Sequence, residues 1–290
     1  MTVFAESPML RQAVELPRGF GHFVRDLFRS RRLIFQLSLR EFRNRYLGSS
    51  LGLFWALVHP ASIIVLYWFV LQLAFGNPNI GDVPFVLWLM CGLVPFFFLS
   101  ESISGGATAI VDNAFLVKKV VFRVNMLPVV RLLALVPIHL IFVGLILVMT
   151  LCYHRPITLY SLQIPYYFLA GCCLCLGVSF LTSALMPFLR DTVQVIAVLT
   201  QFLFWLTPVF WSPTTISASL GKKRLVLPIL EANPLFYLVQ GYRESLGATK
   251  GVWFWQHWLL TIYFWGVTLV FLVVGMLVFK RLRPHFADVV

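Results

Sequence analysis

The stretch from Leu37 to Phe75, LSLREFRNRYLGSSLGLFWALVHPASIIVLYWFVLQLAF, decides the fold. It begins as a basic, amphipathic segment, turns at Gly48-Ser49-Ser50, and continues as about 25 residues without Asp, Glu, Lys or Arg. A helix of about 25 residues rises roughly 37 Å, which exceeds the roughly 30 Å hydrocarbon core of a bilayer. The sequence therefore predicts a positively charged segment on the membrane surface that leads into a first membrane-spanning helix.

The composition of the whole chain indicates an integral membrane protein. Of its 290 residues, 60% are hydrophobic and 12% are charged, whereas a soluble domain has about 25% charged residues. The net charge of +12 could indicate nucleic-acid binding, but most of the positive charge flanks apolar runs, which is typical of membrane topology. Four of the five cysteines fall within apolar runs, where Cys behaves as a small hydrophobic residue, and we expect no metal site.

The order of the apolar runs predicts an all-α membrane protein with six transmembrane helices. An N-terminal cytoplasmic segment (1–28) and an amphipathic interface helix (29–47) precede a six-span domain (51–279) and a cytoplasmic tail (280–290). The spans are predicted at about 51–75, 85–103, 127–153, 164–189, 193–211 and 253–279, with Gly105-Gly106 ending the second. If both termini are cytoplasmic, inner segments hold 17 of the 23 basic residues. The positive-inside rule therefore places both termini in the cytoplasm.

The segment from Arg29 to Tyr46 separates into two faces at helical spacing. Phe35, Leu39 and Phe42 lie on the apolar face, while the basic face includes Arg40 and Arg43. This pattern predicts a helix in the membrane interface, with its arginines directed toward headgroups or a partner. A generic membrane-surface helix is an equally good interpretation.

Two loops are predicted to contain short helices. In the inner loop, Asp112-Asn113 are good N-cap residues for a helix that would expose Lys118, Lys119 and Arg123 to the cytoplasm. The alternative is a basic turn whose side chains reach the headgroups. In the outer loop, Asn233-Pro234 predict the start of an amphipathic helix that is too short to span. We expect a helix–turn–helix that dips into the bilayer from outside, or alternatively a lid lying flat on it.

Catalytic motifs are not apparent in the sequence. We find no G-x-S-x-G, no H-E-x-x-H, no D-x-D pair and no G-x-x-x-x-G-K-[ST] phosphate-binding loop. If the protein uses ATP, the ATPase is thus expected to be another polypeptide. Only Glu101 is predicted within a span, near its cytoplasmic end, which gives weak support for an ion-coupled carrier.

Polar and aromatic side chains recur on one face of the first and fifth spans. The first-span set is Trp55, His59, Ser62 and Phe69, and the fifth-span set is Gln194, Gln201 and Trp205. Amides and hydroxyls exchange hydrogen bonds with sugar hydroxyls, and the C–H faces of sugar rings contact aromatic faces. A neutral channel lining for a sugar polymer fits this pattern, although interhelical packing explains any single residue as well.

Four segments together resemble the ABC-2 type permeases. They are RNRYLGSSLGLFWALVHP (Arg43–Pro60), RDTVQ (Arg190–Gln194), TPVFWSP (Thr207–Pro213) and ANPLFYLVQGYRESL (Ala232–Leu246). In their order and spacing they are most similar to the polysaccharide exporters, which move O-antigen, capsule or teichoic acid chains. The resemblance covers roughly residues 30 to 280.

This resemblance implies a permease of the cytoplasmic (inner) membrane that works as a homodimer with two copies of a separate ABC ATPase. The chain itself would bind no cofactor, and Mg-ATP would bind to the ATPase. A lipid-linked polysaccharide would pass along the dimer axis, beside spans 1, 2 and 5. The resemblance implies ATPase coupling through Asn113, Phe115, Lys118, Lys119, Arg123, Arg40 and Arg43, and an exit gate that includes Asn233, Pro234, Tyr237 and Tyr242.

Two alternative functions stay open from the sequence. The first is an ABC-2 exporter of drugs or small lipids, for which a narrow aliphatic path would be expected. The second is a membrane-embedded glycosyltransferase or acyltransferase, which the missing acidic and histidine-centred motifs disfavour.

Overall fold

The structure, a computed structural model, describes residues 25, 27–46, 52–75, 82–119, 123–212 and 226–290. The regular elements in these ranges are helices. Five of them are long and apolar enough to cross a membrane, which confirms the prediction of an all-α, multi-pass membrane protein. The N-terminal segment 1–24 and the predicted turn at Gly48-Ser49-Ser50 lie outside the described residues.

The helices are numbered here in chain order. They are α1 (Arg31–Tyr46), α2 (Leu53–Phe75), α3 (Phe85–Thr108), α4 (Ala114–Val117), α5 (Leu127–Cys152), α6 (Ile164–Leu185), α7 (Thr192–Leu206), α8 (Val226–Glu231), α9 (Pro234–Ser245), α10 (Trp258–Leu282) and α11 (Phe286–Val289). Short 3₁₀ segments at Val111–Asn113, Val124–Met126, Leu159–Gln163, Phe254–His257 and Arg283–His285 lead into or follow these helices.

Prolines shorten two of the predicted spans. α6 ends at Leu185 and α7 at Leu206, in each case two residues before a proline. At Pro187 the missing N–H removes a helical hydrogen bond, although Met186 before it keeps a helical conformation. At Pro208 the proline also disfavours the helical conformation of the residue before it. Thr207, which precedes Pro208, is accordingly extended, with ψ of 141°. α7 therefore has 15 residues and rises roughly 22 Å, so it is not one of the five long helices.

The glycine pair Gly105-Gly106 does not end the second span. α3 continues through both residues to Thr108. Gly106 lies directly against Ser179 of α6, where a β-carbon would overlap the serine side chain. The prediction of a helix end at this pair is wrong because here the missing side chain permits a close approach of two helices.

α3 forms the centre of the bundle. It contacts α5, α6, α7 and α9, while α10 packs along α6. In an apolar stretch of 18 residues within each helix, 72% of the residues are buried in α3, against 11% in α2. α2 and α7 both rest mainly on α3. The two helices that carry the predicted channel residues therefore lie at an edge of the bundle.

Candidate functional site

The seven predicted channel-lining side chains are all exposed in the single chain. Trp55 is 53% exposed and Trp205 is 62% exposed. Exposed positions on the same two helices are also occupied by His59, Ser62, Phe69, Gln194 and Gln201. Large aromatic and amide groups are therefore available on α2 and α7 for contacts outside the chain. Their role in lining a channel stays a prediction.

An aromatic cluster joins α2 to α7. The ring centroid of Tyr67 on α2 lies 4.8 Å from that of Phe210 and 6.0 Å from that of Phe204. Phe204 also contacts Phe96 of α3, at 5.0 Å between centroids. Such pairs stabilise by about 0.5–1.5 kcal/mol beyond the area they bury. The cluster holds the two predicted faces on neighbouring helices.

A cavity between α2, α3 and α5 is too small for a ligand. Its volume is about 30 Å³, and its lining includes Pro60, Glu101 and His139. Pockets for small molecules usually measure about 300–1,000 Å³. A sugar polymer cannot pass here through the interior of one chain.

The inner loop presents an aromatic and basic tip. Phe115 in α4 is 72% exposed, and the Nζ of Lys119 lies 4.2 Å from its ring centroid. Lys118 is also exposed, whereas Arg123 is only half-exposed. Asn113 occupies the N-cap position, but its side chain makes no cap bond and instead donates to the Ala109 carbonyl at 2.9 Å. The prediction of a capping role for Asn113 is wrong, because that amide extends the preceding turn.

The basic helix α1 has three faces rather than two. Ile34 and Ser38 are buried against the bundle, on the side where α1 contacts α5. Phe35 is exposed on a second, apolar face, and Arg40 and Arg43 are exposed on a third, basic face. One side of α1 is thus fixed to the protein, and the other two are free to contact headgroups or a partner.

Asn233 fixes the start of the outer helix α9. Its Oδ1 accepts a hydrogen bond from the Leu235 N–H at 3.0 Å, and its Nδ2 donates to the Thr207 Oγ1 at 2.8 Å. Pro234 is the first residue of the helix, where a missing N–H costs nothing. The predicted cap is confirmed, and the same side chain ties α9 to the end of α7.

Two predicted gate tyrosines anchor α9 inside the bundle. Tyr242 is buried, and its hydroxyl lies 2.8 Å from the Nε2 of His139 on α5. The buried Tyr237 hydroxyl lies 2.9 Å from the Tyr166 hydroxyl and 3.0 Å from the Thr261 Oγ1. These contacts connect α9 to α5, α6 and α10. Any gating role of the two residues stays a prediction.

Arg243 is a buried charge, one of the six basic residues that the predicted topology places outside the inner segments. It is fully buried, its Nη2 donates to the Val209 carbonyl at 3.0 Å, and its guanidinium lies 3.5 Å from the Trp88 ring centroid. Burial lowers the pKa of Arg243 to about 9, which leaves the guanidinium charged at neutral pH. An arginine within an apolar helix was the available signal, since such a charge needs a partner.

Comparison with known proteins identifies the family of this chain. The sequence profile of the family described as ABC-2 type transporter matches residues 32–247. The chain is 26% identical over 269 residues to the O-antigen export system permease protein RfbA of Myxococcus xanthus, covering 91% of this chain and 98% of that protein. It is 23% identical over 261 residues to the protein of the same name from Klebsiella pneumoniae, covering 89% and 94%. The chain belongs to the ABC-2 type transporter family and is a transport permease rather than an enzyme.

Proposed function

We propose that this chain is the permease of an ATP-driven exporter that moves a lipid-linked polysaccharide across the cytoplasmic membrane. The observation that carries the proposal is the exposed row of indole and amide groups on α2 and α7, including Trp55, Gln201 and Trp205. Such neutral groups suit sugars, because they offer both hydrogen bonds and aromatic faces. The two related RfbA proteins are named as O-antigen export permeases, which supports an O-antigen-like or capsular substrate.

The polymer path lies between two copies of the chain in this proposal. The cavity between α2, α3 and α5 measures about 30 Å³ and cannot hold a polymer, and the proposal places the path outside the single bundle. α2 and α7 form the bundle edge that exposes the predicted lining. Pairing two such edges would enclose a channel along a twofold axis. With α7 as the fifth, short span, each chain contributes six membrane passages, and both termini are cytoplasmic.

Mg-ATP binds to a separate ATPase, of which two copies dock on the cytoplasmic side. The exposed tip formed by Phe115, Lys118 and Lys119 has the composition of an interface anchor, with an aromatic side chain at its centre and charges around it. The basic face of α1, with Arg40 and Arg43, extends this docking surface.

Reconstitution of the permease with its ATPase tests the proposal. Vesicles containing both proteins should take up lipid-linked polysaccharide only when ATP is supplied, measured as polymer protected from added glycosidase. Trp205→Ala should reduce uptake per ATP, because the indole is lost from the proposed path. Leu199→Ala is the control, since Leu199 is also exposed on α7 but lies about 120° around the helix from Trp205. Steady ATP hydrolysis without any polymer uptake would contradict the proposed function.

A further inference from the structure

Arg131 connects three elements at the inner end of the bundle. It is the fifth residue of α5. Its Nη1 donates to the Oε1 of Glu41 at 2.6 Å, and its Nη2 donates to the Oδ2 of Asp112 at 2.6 Å. Glu41 belongs to α1, and Asp112 belongs to the 3₁₀ turn that leads into α4. One guanidinium therefore holds two carboxylates from segments 90 and 19 residues away along the chain.

Partial burial distinguishes this cluster from an ordinary surface ion pair. The side chains of Arg131 and Glu41 are only 15% and 20% exposed, whereas that of Asp112 is 46% exposed. Charge-assisted hydrogen bonds are strong when water is largely excluded, as between Arg131 and Glu41, and removal of the cation leaves Glu41 poorly solvated. By comparison, the ion pair of Arg45 with Glu101, which joins α1 to α3, is more exposed on both sides, so its contribution is expected to be smaller.

The cluster lies where docking surfaces meet a membrane span. α1 exposes Arg40 and Arg43, and α4 exposes Phe115, while α5 is one of the five long apolar helices. Apart from Arg131, α1 is held by the burial of Ile34 and Ser38 and by the Arg45–Glu101 ion pair to α3. The guanidinium of Arg131 is a direct bonded link from each of the two docking elements to α5.

We propose that Arg131 is a positioning residue that joins α1 and the α4 turn to α5, so that the three move together when the ATPase pulls on them. This inference rests on the proposed function, in which an ATPase docks on these surfaces. Arg131 touches neither the polymer nor ATP. It acts by keeping the two docking elements in register with the span.

The connection that Arg131 makes between α1 and the α4 turn can be tested without transport. Spin labels at Gln36 on α1 and at Phe115 on α4, in full-length protein with the exposed Cys152 replaced by serine, report the distance between the two elements. In the parent protein, reconstituted alone in lipid nanodiscs, we expect a narrow distance distribution. Arg131→Gln should broaden it or shift it outward, because Glu41 and Asp112 then face each other without their cation. Arg131→Lys should give a distance distribution of intermediate width, since one ammonium cannot reproduce the two parallel donors of the guanidinium.

The effect of Arg131 on transport is measured in the reconstituted complex of permease and ATPase, with unlabelled protein. Arg131→Gln should leave ATP hydrolysis and ATPase binding close to wild type, while polymer exported per ATP falls about tenfold or more, because both charge-assisted hydrogen bonds are lost. If Arg131→Gln does not fold, Glu41→Ala and Asp112→Ala each remove one of the two bonds, and each should lower the polymer exported per ATP by a smaller factor. Arg155→Gln is the control, because the Arg155 side chain, just beyond the far end of α5, donates to the Asp82 carbonyl and not to a carboxylate of α1 or the α4 turn.

The outcomes separate this inference from the proposed function. An unchanged distance distribution in Arg131→Gln overturns the inference, whether or not the complex transports. A broadened distance distribution together with undiminished polymer export per ATP also overturns the inference, because the contacts of Arg131 would then have no role in transport. Failure of the wild-type complex to export polysaccharide refutes the proposed function instead, and the distance measurement still decides whether Arg131 holds the two elements together.

Discussion

The close contact of α6 with α10 gives the sharpest stability prediction. A β-carbon added to Gly177 of α6 would lie 2.7 Å from the backbone N of Leu272 and 2.9 Å from the backbone C of Phe271. Both atoms belong to the main chain of α10, so they cannot rotate away as the end of a side chain could. Ordinary contacts at such a carbon begin at 3.4 Å. Gly177→Ala therefore requires the two helices to separate by about 0.7 Å, the difference between these distances.

This separation should cost about 1–3 kcal/mol. A gap of about 0.5–1 Å already loses a quarter to a half of the dispersion attraction across a packed surface, and overpacking in protein interiors costs a similar 1–3 kcal/mol. Alanine is also a better helix former than glycine by about 1 kcal/mol, which offsets part of the loss. A control that shares the propensity gain but lacks the contact isolates the packing effect. Gly266→Ala in α10 is such a control, because nothing lies within 4 Å of its added carbon.

Reversible unfolding in mixed micelles, with increasing SDS and circular dichroism as the signal, measures both variants. We expect Gly266→Ala to be neutral or up to about 1 kcal/mol more stable than wild type. Gly177→Ala should be less stable than Gly266→Ala by about 1–3 kcal/mol. Equal free energies of unfolding for the two variants would refute the reasoning, since the contact with α10 would then have no cost.

Three further predictions concern the ends of the bundle. Reversal of Lys118 and Lys119 to glutamate should weaken co-purification with the ATPase about tenfold, because the docking surface changes sign; unchanged co-purification would show that this tip is not the coupling element. Asn233→Ala should lower the free energy of unfolding by about 1–2 kcal/mol. Asn233→Asp keeps the capping oxygen but loses the donor to Thr207, and it should lower the free energy of unfolding by less. Equal losses of unfolding free energy in the two variants would argue against the cap. A membrane-impermeant maleimide should label the exposed Cys152 in right-side-out vesicles but not in Cys152→Ser protein, and labelling only in inverted vesicles would contradict the proposed orientation.

The long helices could be predicted from sequence because a bilayer leaves the backbone few options. Every N–H and C=O group in the hydrocarbon region needs a partner within the chain, so a long apolar run is a helix. Local patterns also sufficed at Asn233-Pro234, where the cap and the first helical residue are neighbours in sequence. A proline alone does not predict where a helix ends, because α6 and α7 end two residues before Pro187 and Pro208, whereas α2, α3 and α5 continue through Pro60, Pro95 and Pro137.

Contacts between distant residues were beyond the reach of local patterns. Arg131 is one of the 17 basic residues that the predicted topology places on the inner side, and nothing in its sequence neighbourhood indicates that Glu41 lies beside it. The sequence predicts a helix end at Gly106, and only the approach of Ser179 shows why a glycine is needed there. The predicted topology likewise places Arg243 among the outer basic residues, and only the structure shows that its guanidinium lies against the Trp88 ring. In each case the partner is set by helix packing rather than by periodicity.

The anchoring of α9 limits how the outer side can open. Asn233, Tyr237 and Tyr242 each bond a different helix from a buried position. Swinging α9 away alone would break these bonds at a cost of about 1 kcal/mol or more each. At about 3 kcal/mol in total, fewer than about one molecule in a hundred would be open at rest. In the proposed homodimer, an outer passage between the two copies is thus expected to widen by movement of each α9-containing bundle as one rigid body, with the two copies moving apart.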